Sequence, residues 1–253
     1  MHVVARSITP ASQAKLHLIS IAALALMFAT LCLYALFVDS YTRWDLTIIH
    51  WSQLHRGAVT DQALLAITMM ADLPVSTALV LGLVLMLLIQ RYWWLSFYLT
   101  CTFFSTTLSV TIIKHLSQRA RPALPDSVLS LMSFPSGHAA RAVLVFGLLA
   151  LFFSHGRTRQ TRTIALLIAV TLSTSVAASR VFLGVHWVSD VLAGAVLAAL
   201  MLTCVDWQLR RHLADAVTLP VNRVLVVGIT VFPVYYYLNL TAQSRIYALA
   251  IQN

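Results

Sequence analysis

A histidine and an aspartate four residues apart, His186 and Asp190, stand between two long apolar runs of a chain in which only 10% of residues are charged. On one helix face that spacing lets the carboxylate accept a hydrogen bond from imidazole Nδ1, which leaves Nε2 unprotonated and nucleophilic. An aspartate orients a histidine in hydrolase triads by the same logic. Here no serine or cysteine stands at a comparable spacing, so the imidazole itself is the expected nucleophile. Three cations, Lys114, Arg121 and Arg180, are enough to hold a tetrahedral dianion, and the arginine fork suits phosphate oxygens. Pro135, Ser136 and Gly137 precede another apolar run, whose first N–H groups form an anion site that Gly137 lets a ligand approach closely. His138, in the first turn, is placed to protonate a leaving-group oxygen. A phosphoryl group held by cations and amides, attacked by one histidine and released with help from another, is a complete scheme that needs no cofactor. Nor does it need a metal: two-ion catalysis requires several converging carboxylates, and the chain has eight aspartates and no glutamate.

The elements that must position these groups are membrane helices. Hydrophobic residues make up 60% of the 253, and the mean hydropathy is +0.84, which implies an integral membrane protein of the all-α class. The net charge of +9 fits cytoplasmic loops and anionic head groups, and a nucleic-acid partner is not expected. Cys32, Cys101 and Cys204 each fall inside an apolar run and read as small core residues. Seven runs approach the length needed to cross a bilayer: roughly 17–38, 74–90, 92–113, 138–154, 163–179, 188–206 and 221–240. The first reads as a retained span rather than a cleaved signal peptide. The segment between the first two runs has helical periodicity among polar residues and is expected to lie along the interface.

Helix alternation alone then makes a geometric statement. With the N-terminus in the cytoplasm, nine cations, including Arg91, Arg157, Arg162, Arg210 and Arg223, fall on the inner side, as the positive-inside rule requires. The end of run three, the start of run four, the end of run five and the start of run six must share the outer face. Lys114, His138, Arg180 and the His186–Asp190 pair stand at those ends. Ionisable groups at a helix centre in a bilayer cost about 2.5 to 3.5 kcal/mol each even on the lenient insertion scale, so a cluster of them marks a functional site.

Three segments carry a family resemblance. "KHLSQRARP" at 114–122 is K-x6-R-P, "PSGH" occupies 135–138, and "SRVFLGVHWVSD" at 179–190 is S-R-x5-H-x3-D. Together they resemble the three-part signature of the type 2 phosphatidic acid phosphatases, whose phosphate site is shared with vanadium haloperoxidases and glucose-6-phosphatase. The resemblance implies a six-helix core over residues 60–206. It follows an N-terminal tail, first helix and interfacial segment at 1–59, and precedes a cytoplasmic loop and an additional helix at 207–253. It also implies roles. Lys114, Arg121 and Arg180 bind phosphate, with Ser136 and Gly137 helping. His186 becomes phosphohistidine, Asp190 orients it, and His138 is the general acid that later assists water.

A site at the outer membrane level suits a lipid phosphate, whose tails stay in the bilayer, with membrane lipids as surroundings. Undecaprenyl diphosphate, lipid A, phosphatidylglycerol phosphate and phosphatidic acid all remain candidates, and the oligomeric state is left open. The expected location is a bacterial inner membrane with the site facing the periplasm. Two other classes stay in play: a lipid phosphotransferase using the same phosphohistidine, and a non-enzymatic anion-binding or transport protein, which has no use for the His186–Asp190 pair. Arg119 reads as a solvated or head-group contact. Arg141 could touch substrate, Asp126 or head groups. The seventh run, with Pro233 and the tyrosines at 235–237, has no assigned role.

Overall fold

The computed structural model describes residues 10–37, 43–122, 132–213 and 218–248. Asp126 lies outside them. Among the described residues there are nine helices and no strand: α1 (Pro10–Phe37), α2 (Arg43–Leu54), α3 (Ala58–Met69), α4 (Leu73–Ile89), α5 (Trp93–Ser117), α6 (Gly137–Ser154), α7 (Arg159–Phe182), α8 (Val188–His212) and α9 (Val221–Ala248). Seven candidate spans result, because α3 and α4 together form one at Val59–Ile89 and α2, of 12 residues, is too short to cross. Large apolar side chains stand exposed along these spans, among them Leu26, Ile168, Ile229 and Leu238. An unbroken apolar exterior of this kind is stable only against hydrocarbon, so the chain is an integral membrane protein.

The elements start and stop for local reasons. Ser136 caps α6 and Thr158 caps α7, each side chain accepting from a backbone N–H three residues on. Asp72 and Pro74 open α4. Helix α7 ends at Phe182 with Leu183 as its C-cap, and Gly184 follows at φ 70°, a left-handed conformation that a side chain would strain. That turn swings the chain from Arg180 to His186.

Helix α6 is the centre of the bundle. In its most apolar window 72% of residues are buried, against 0% for α1 and 6% for α9. Leu144, Leu148 and Phe152 of α6 join Leu83 and Leu87 of α4, Leu99 of α5, Val176 of α7 and Leu209 of α8 in one apolar core. Helix α8 approaches the start of α6 so closely that a Cβ on Gly194 would lie 2.3 Å from the Ser136 carbonyl oxygen. The glycine therefore sets the distance between α6, which bears His138, and α8, whose start follows His186.

The segment expected to lie along the interface packs into the bundle, and its second half belongs to the span Val59–Ile89. It forms α2 and α3, and both pack against α7. Asp45 of α2 is 1% exposed and reaches the start of α8. The reason is that this segment's polar residues are spaced to meet partners in the bundle, which periodicity cannot distinguish from facing water.

Candidate active site

The ends of α5, α6 and α7, the Arg121 segment and the turn before α8 enclose a cavity of ≈ 250 Å³ lined by Lys114, Arg121, Gly137, His138, Arg180 and His186, with Arg141 beside them. Six of the eight residues singled out from sequence thus line one space. Ser136 and Asp190 stand behind it, both fully buried. The Ser136 hydroxyl accepts from Ala139 N at 3.5 Å and its own N–H donates to the Asp190 carbonyl at 2.9 Å. Its contact with the site is through the helix start that it caps.

The His186–Asp190 pair forms, with Nδ1 3.3 Å from Asp190 Oδ2, but not as two positions on one helix face. His186 lies ahead of Trp187, the N-cap of α8, and Asp190 is in the first turn, where its Oδ2 also accepts the Trp187 N–H at 2.9 Å. One carboxylate oxygen therefore caps the helix and orients the ring together, which leaves Nε2 for the cavity. Burial first, then the charges of Arg121, Lys114 and Arg180 and the neighbouring His138, hold the His186 imidazole well below its ordinary pKa. The ring is accordingly neutral at physiological pH, as a nucleophile must be.

The cations are anchored by carbonyls and a hydroxyl. Lys114 Nζ donates to the carbonyls of Met132 and Ser133 at 2.8 and 3.1 Å, Arg121 Nη1 to that of Val185 at 3.0 Å, and Arg180 Nη1 to Thr68 Oγ1 at 3.0 Å. Carbonyl and hydroxyl anchors carry no negative charge, so these contacts fix each cation without neutralising it.

Arg119 overturns its expected role as a solvated contact. Its side chain is 9% exposed, and Nη1 donates to Asp190 Oδ1 at 2.7 Å and to Ser189 Oγ at 2.8 Å. Asp45 completes the cluster, accepting from Ser189 Oγ at 2.9 Å and from Arg119 Nη2 at 3.5 Å. Arg119 thus closes the second oxygen of the carboxylate that orients His186. Sequence reading placed it in the polar loop because its partner is 71 residues away.

Two further residues escaped sequence reading. Asp72 accepts from His138 Nε2 at 2.7 Å, and Tyr235 of α9 donates to the other Asp72 oxygen, also at 2.7 Å. A signal for Asp72 existed: an aspartate between apolar segments is costly without a partner. Tyr235 carried none. Arg141 turns back along α6, its Nε donating to the Ala71 carbonyl at 2.8 Å and its Nη2 lying 3.4 Å from His138 Nδ1.

Comparison with known proteins bears on this arrangement. The model of the PAP2 superfamily matches residues 91–213, a segment that holds all three signatures. Phosphatidylglycerophosphatase B of Bacillus subtilis (strain 168) is 36% identical over 93 residues, which are 36% of this chain and 46% of that protein. The match thus spans just under half of that relative's length. The crystal structure of a transmembrane PAP2-type phosphatidylglycerolphosphate phosphatase from Bacillus subtilis is similar with a TM-score of 0.64 at 26% identity, over 76% of this chain and 96% of that one.

Proposed function

We propose that the chain, whose residues 91–213 match the model of the PAP2 superfamily, is a membrane phosphatase of that superfamily that hydrolyses a lipid phosphomonoester or diphosphate through phosphohistidine. Phosphatidylglycerol phosphate is the first candidate, since the similar proteins are phosphatases of that lipid by name. The observation that carries the reading is the cavity itself: a buried, carboxylate-oriented histidine faces three anchored cations and a second histidine at a helix N-terminus. An anion-binding protein would need the cations but not the oriented imidazole.

Lys114, Arg121, Arg180 and the first amides of α6 take the phosphate oxygens. His186 Nε2 attacks phosphorus as the bond to the leaving oxygen breaks, and that oxygen keeps the electron pair and takes a proton from His138. Water then attacks the phosphohistidine and gives its proton to His138, and the N–P electron pair returns to Nε2. The rim supports a lipid substrate, because Leu73 of α4 is 46% exposed and, with Thr107 and Thr111 of α5, borders the cavity on the hydrocarbon side.

Purified protein is expected to release phosphate from phosphatidylglycerol phosphate faster than from phosphatidic acid, lipid A or undecaprenyl diphosphate. The activity should persist in a strong chelator and yield to vanadate, which mimics the five-coordinate transition state. Silencing by chelation with recovery on adding a divalent cation, and no effect of vanadate, would sink the mechanism.

The site faces the periplasm in this reading, because the opposite ends of α6, α7 and α8 carry Arg157, Arg162 and Arg210 around another cavity. A cysteine at Ser127 is expected to react with a membrane-impermeant thiol reagent in intact cells, and one at Thr158 is not. The reverse labelling pattern would place the site in the cytoplasm.

A further inference from the structure

The second histidine is held as deliberately as the first. His138 Nε2 donates to Asp72 Oδ1, and the Tyr235 hydroxyl donates to Asp72 Oδ2, both at 2.7 Å. Both partners lie outside the segment that the family model matches. The order Tyr235, Asp72, His138 repeats on the leaving-group side the order Arg119, Asp190, His186 on the attacking side: a donor closes one carboxylate oxygen and the imidazole uses the other. Asp72 is 7% exposed, so a carboxylate there depends on these donors for the hydrogen bonds it would otherwise make to water.

Helix α9 is built to deliver the tyrosine. It lies on α4 at close range, since a Cβ on Gly228 would meet Leu79 at 2.7 Å and one on Gly82 would meet Val224 at 3.0 Å. This packing of side chains against glycines brings Tyr235 to the N-terminus of α4, where Asp72 stands.

We propose that Asp72 and Tyr235 are positioning residues for the leaving-group acid, so that the C-terminal helix takes part in catalysis by fixing which nitrogen of His138 carries the transferred proton. With Nε2 committed to Asp72, that nitrogen is Nδ1. The Arg141 guanidinium lies 3.4 Å from it, and a phosphate oxygen is the stronger partner for a guanidinium. Substrate binding therefore draws Arg141 off Nδ1, which takes up a proton from solvent, and the Asp72 carboxylate stabilises the imidazolium that then donates. In the transfer the Nδ1–H bond breaks as the leaving-oxygen–H bond forms, and a neutral ring remains on Asp72.

The inference rests on the reading of His138 as the acid, and leaving-group dependence tests the two separately. kcat/KM is measured for the lipid phosphomonoester turned over fastest, and for a nitrophenyl phosphate carrying an alkyl chain, whose phenolate departs without a proton. His138→Ala should lose about 10²- to 10⁴-fold on the lipid, the span of general acid catalysis, and far less on the aryl ester. Tyr235→Phe should lose about 10-fold and Asp72→Asn about 100-fold on the lipid, both with little change on the aryl ester. Equal losses on both substrates in Tyr235→Phe and Asp72→Asn would mean that α9 only braces the fold, and would overturn the proposal. No loss in either variant would overturn it too. Equal losses in His138→Ala would instead remove the acid role on which it stands.

Discussion

His186→Ala is expected to abolish lipid phosphate hydrolysis, with a loss of at least about 10⁴-fold, the scale on which catalytic triads fail when one member is removed. The variant should still insert and accumulate, because the groups around the missing ring keep their partners. Asp190 retains the Trp187 N–H and the Arg119 guanidinium, so the start of α8 stays capped. The cations proposed to bind phosphate keep their anchors on backbone carbonyls and Thr68. Vanadate binding should therefore persist in weakened form while turnover disappears. Rapid quenching of the unaltered protein with labelled substrate in alkaline denaturant should trap a phosphoenzyme that is stable in base and labile in acid, and His186→Ala should yield none. Ordinary turnover by the variant would remove histidine as the nucleophile.

Asp190→Asn should cost about 10³- to 10⁴-fold in kcat, near the loss from the equivalent carboxylate change in a triad. The shape is conserved and the hydrogen bonding is not. Asp190 Oδ2 accepts from both His186 Nδ1 and the Trp187 N–H, and Oδ1 accepts from Arg119. An asparagine has only one oxygen. If that oxygen keeps the Oδ2 partners, its NH2 points at the Arg119 guanidinium, donor against donor. If it turns to Arg119, the NH2 faces the Trp187 N–H and forces His186 into the tautomer with the proton on Nε2, which cannot attack. Either orientation also leaves a buried arginine with less compensation. Breaking a buried ion pair costs about 3 to 5 kcal/mol, an upper bound here because Asp45 and Ser189 still hold Arg119. Phosphate release and thermal unfolding in the same detergent separate the two effects. Near-normal rates would reduce Asp190 to a helix cap.

Apolar run length identified all seven spans, because crossing hydrocarbon demands a minimum number of apolar residues whatever the fold, but the second, expected at 74–90, extends back through α3 to Val59. The N-terminal interfacial segment was misjudged in part. Its periodicity is genuine, yet α2 and α3 turn polar residues such as Asp45 and Thr68 toward other helices, and a helical repeat reads the same whether its polar face meets water or a buried partner.

The sequence by itself determined that the signature residues would meet. Alternating helices must bring their ends to one of two faces, and Lys114, His138, Arg180 and His186 all fall at ends that share a face. It also determined the His186–Asp190 pairing, because four residues is a local distance on which backbone geometry acts directly. Only the tertiary structure decided what supports those residues. Arg119 and Asp190 are 71 positions apart, His138 and Asp72 are 66 apart, and Asp72 and Tyr235 are 163 apart. Spacing carries no information over such separations. The membrane's energetic rule says that each buried charge must have a partner, but packing chooses it: close contact of α8 with α6 at Gly194, and of α9 with α4 at Gly228. Partner identity is therefore a property of how the helices are docked, and no local pattern records it.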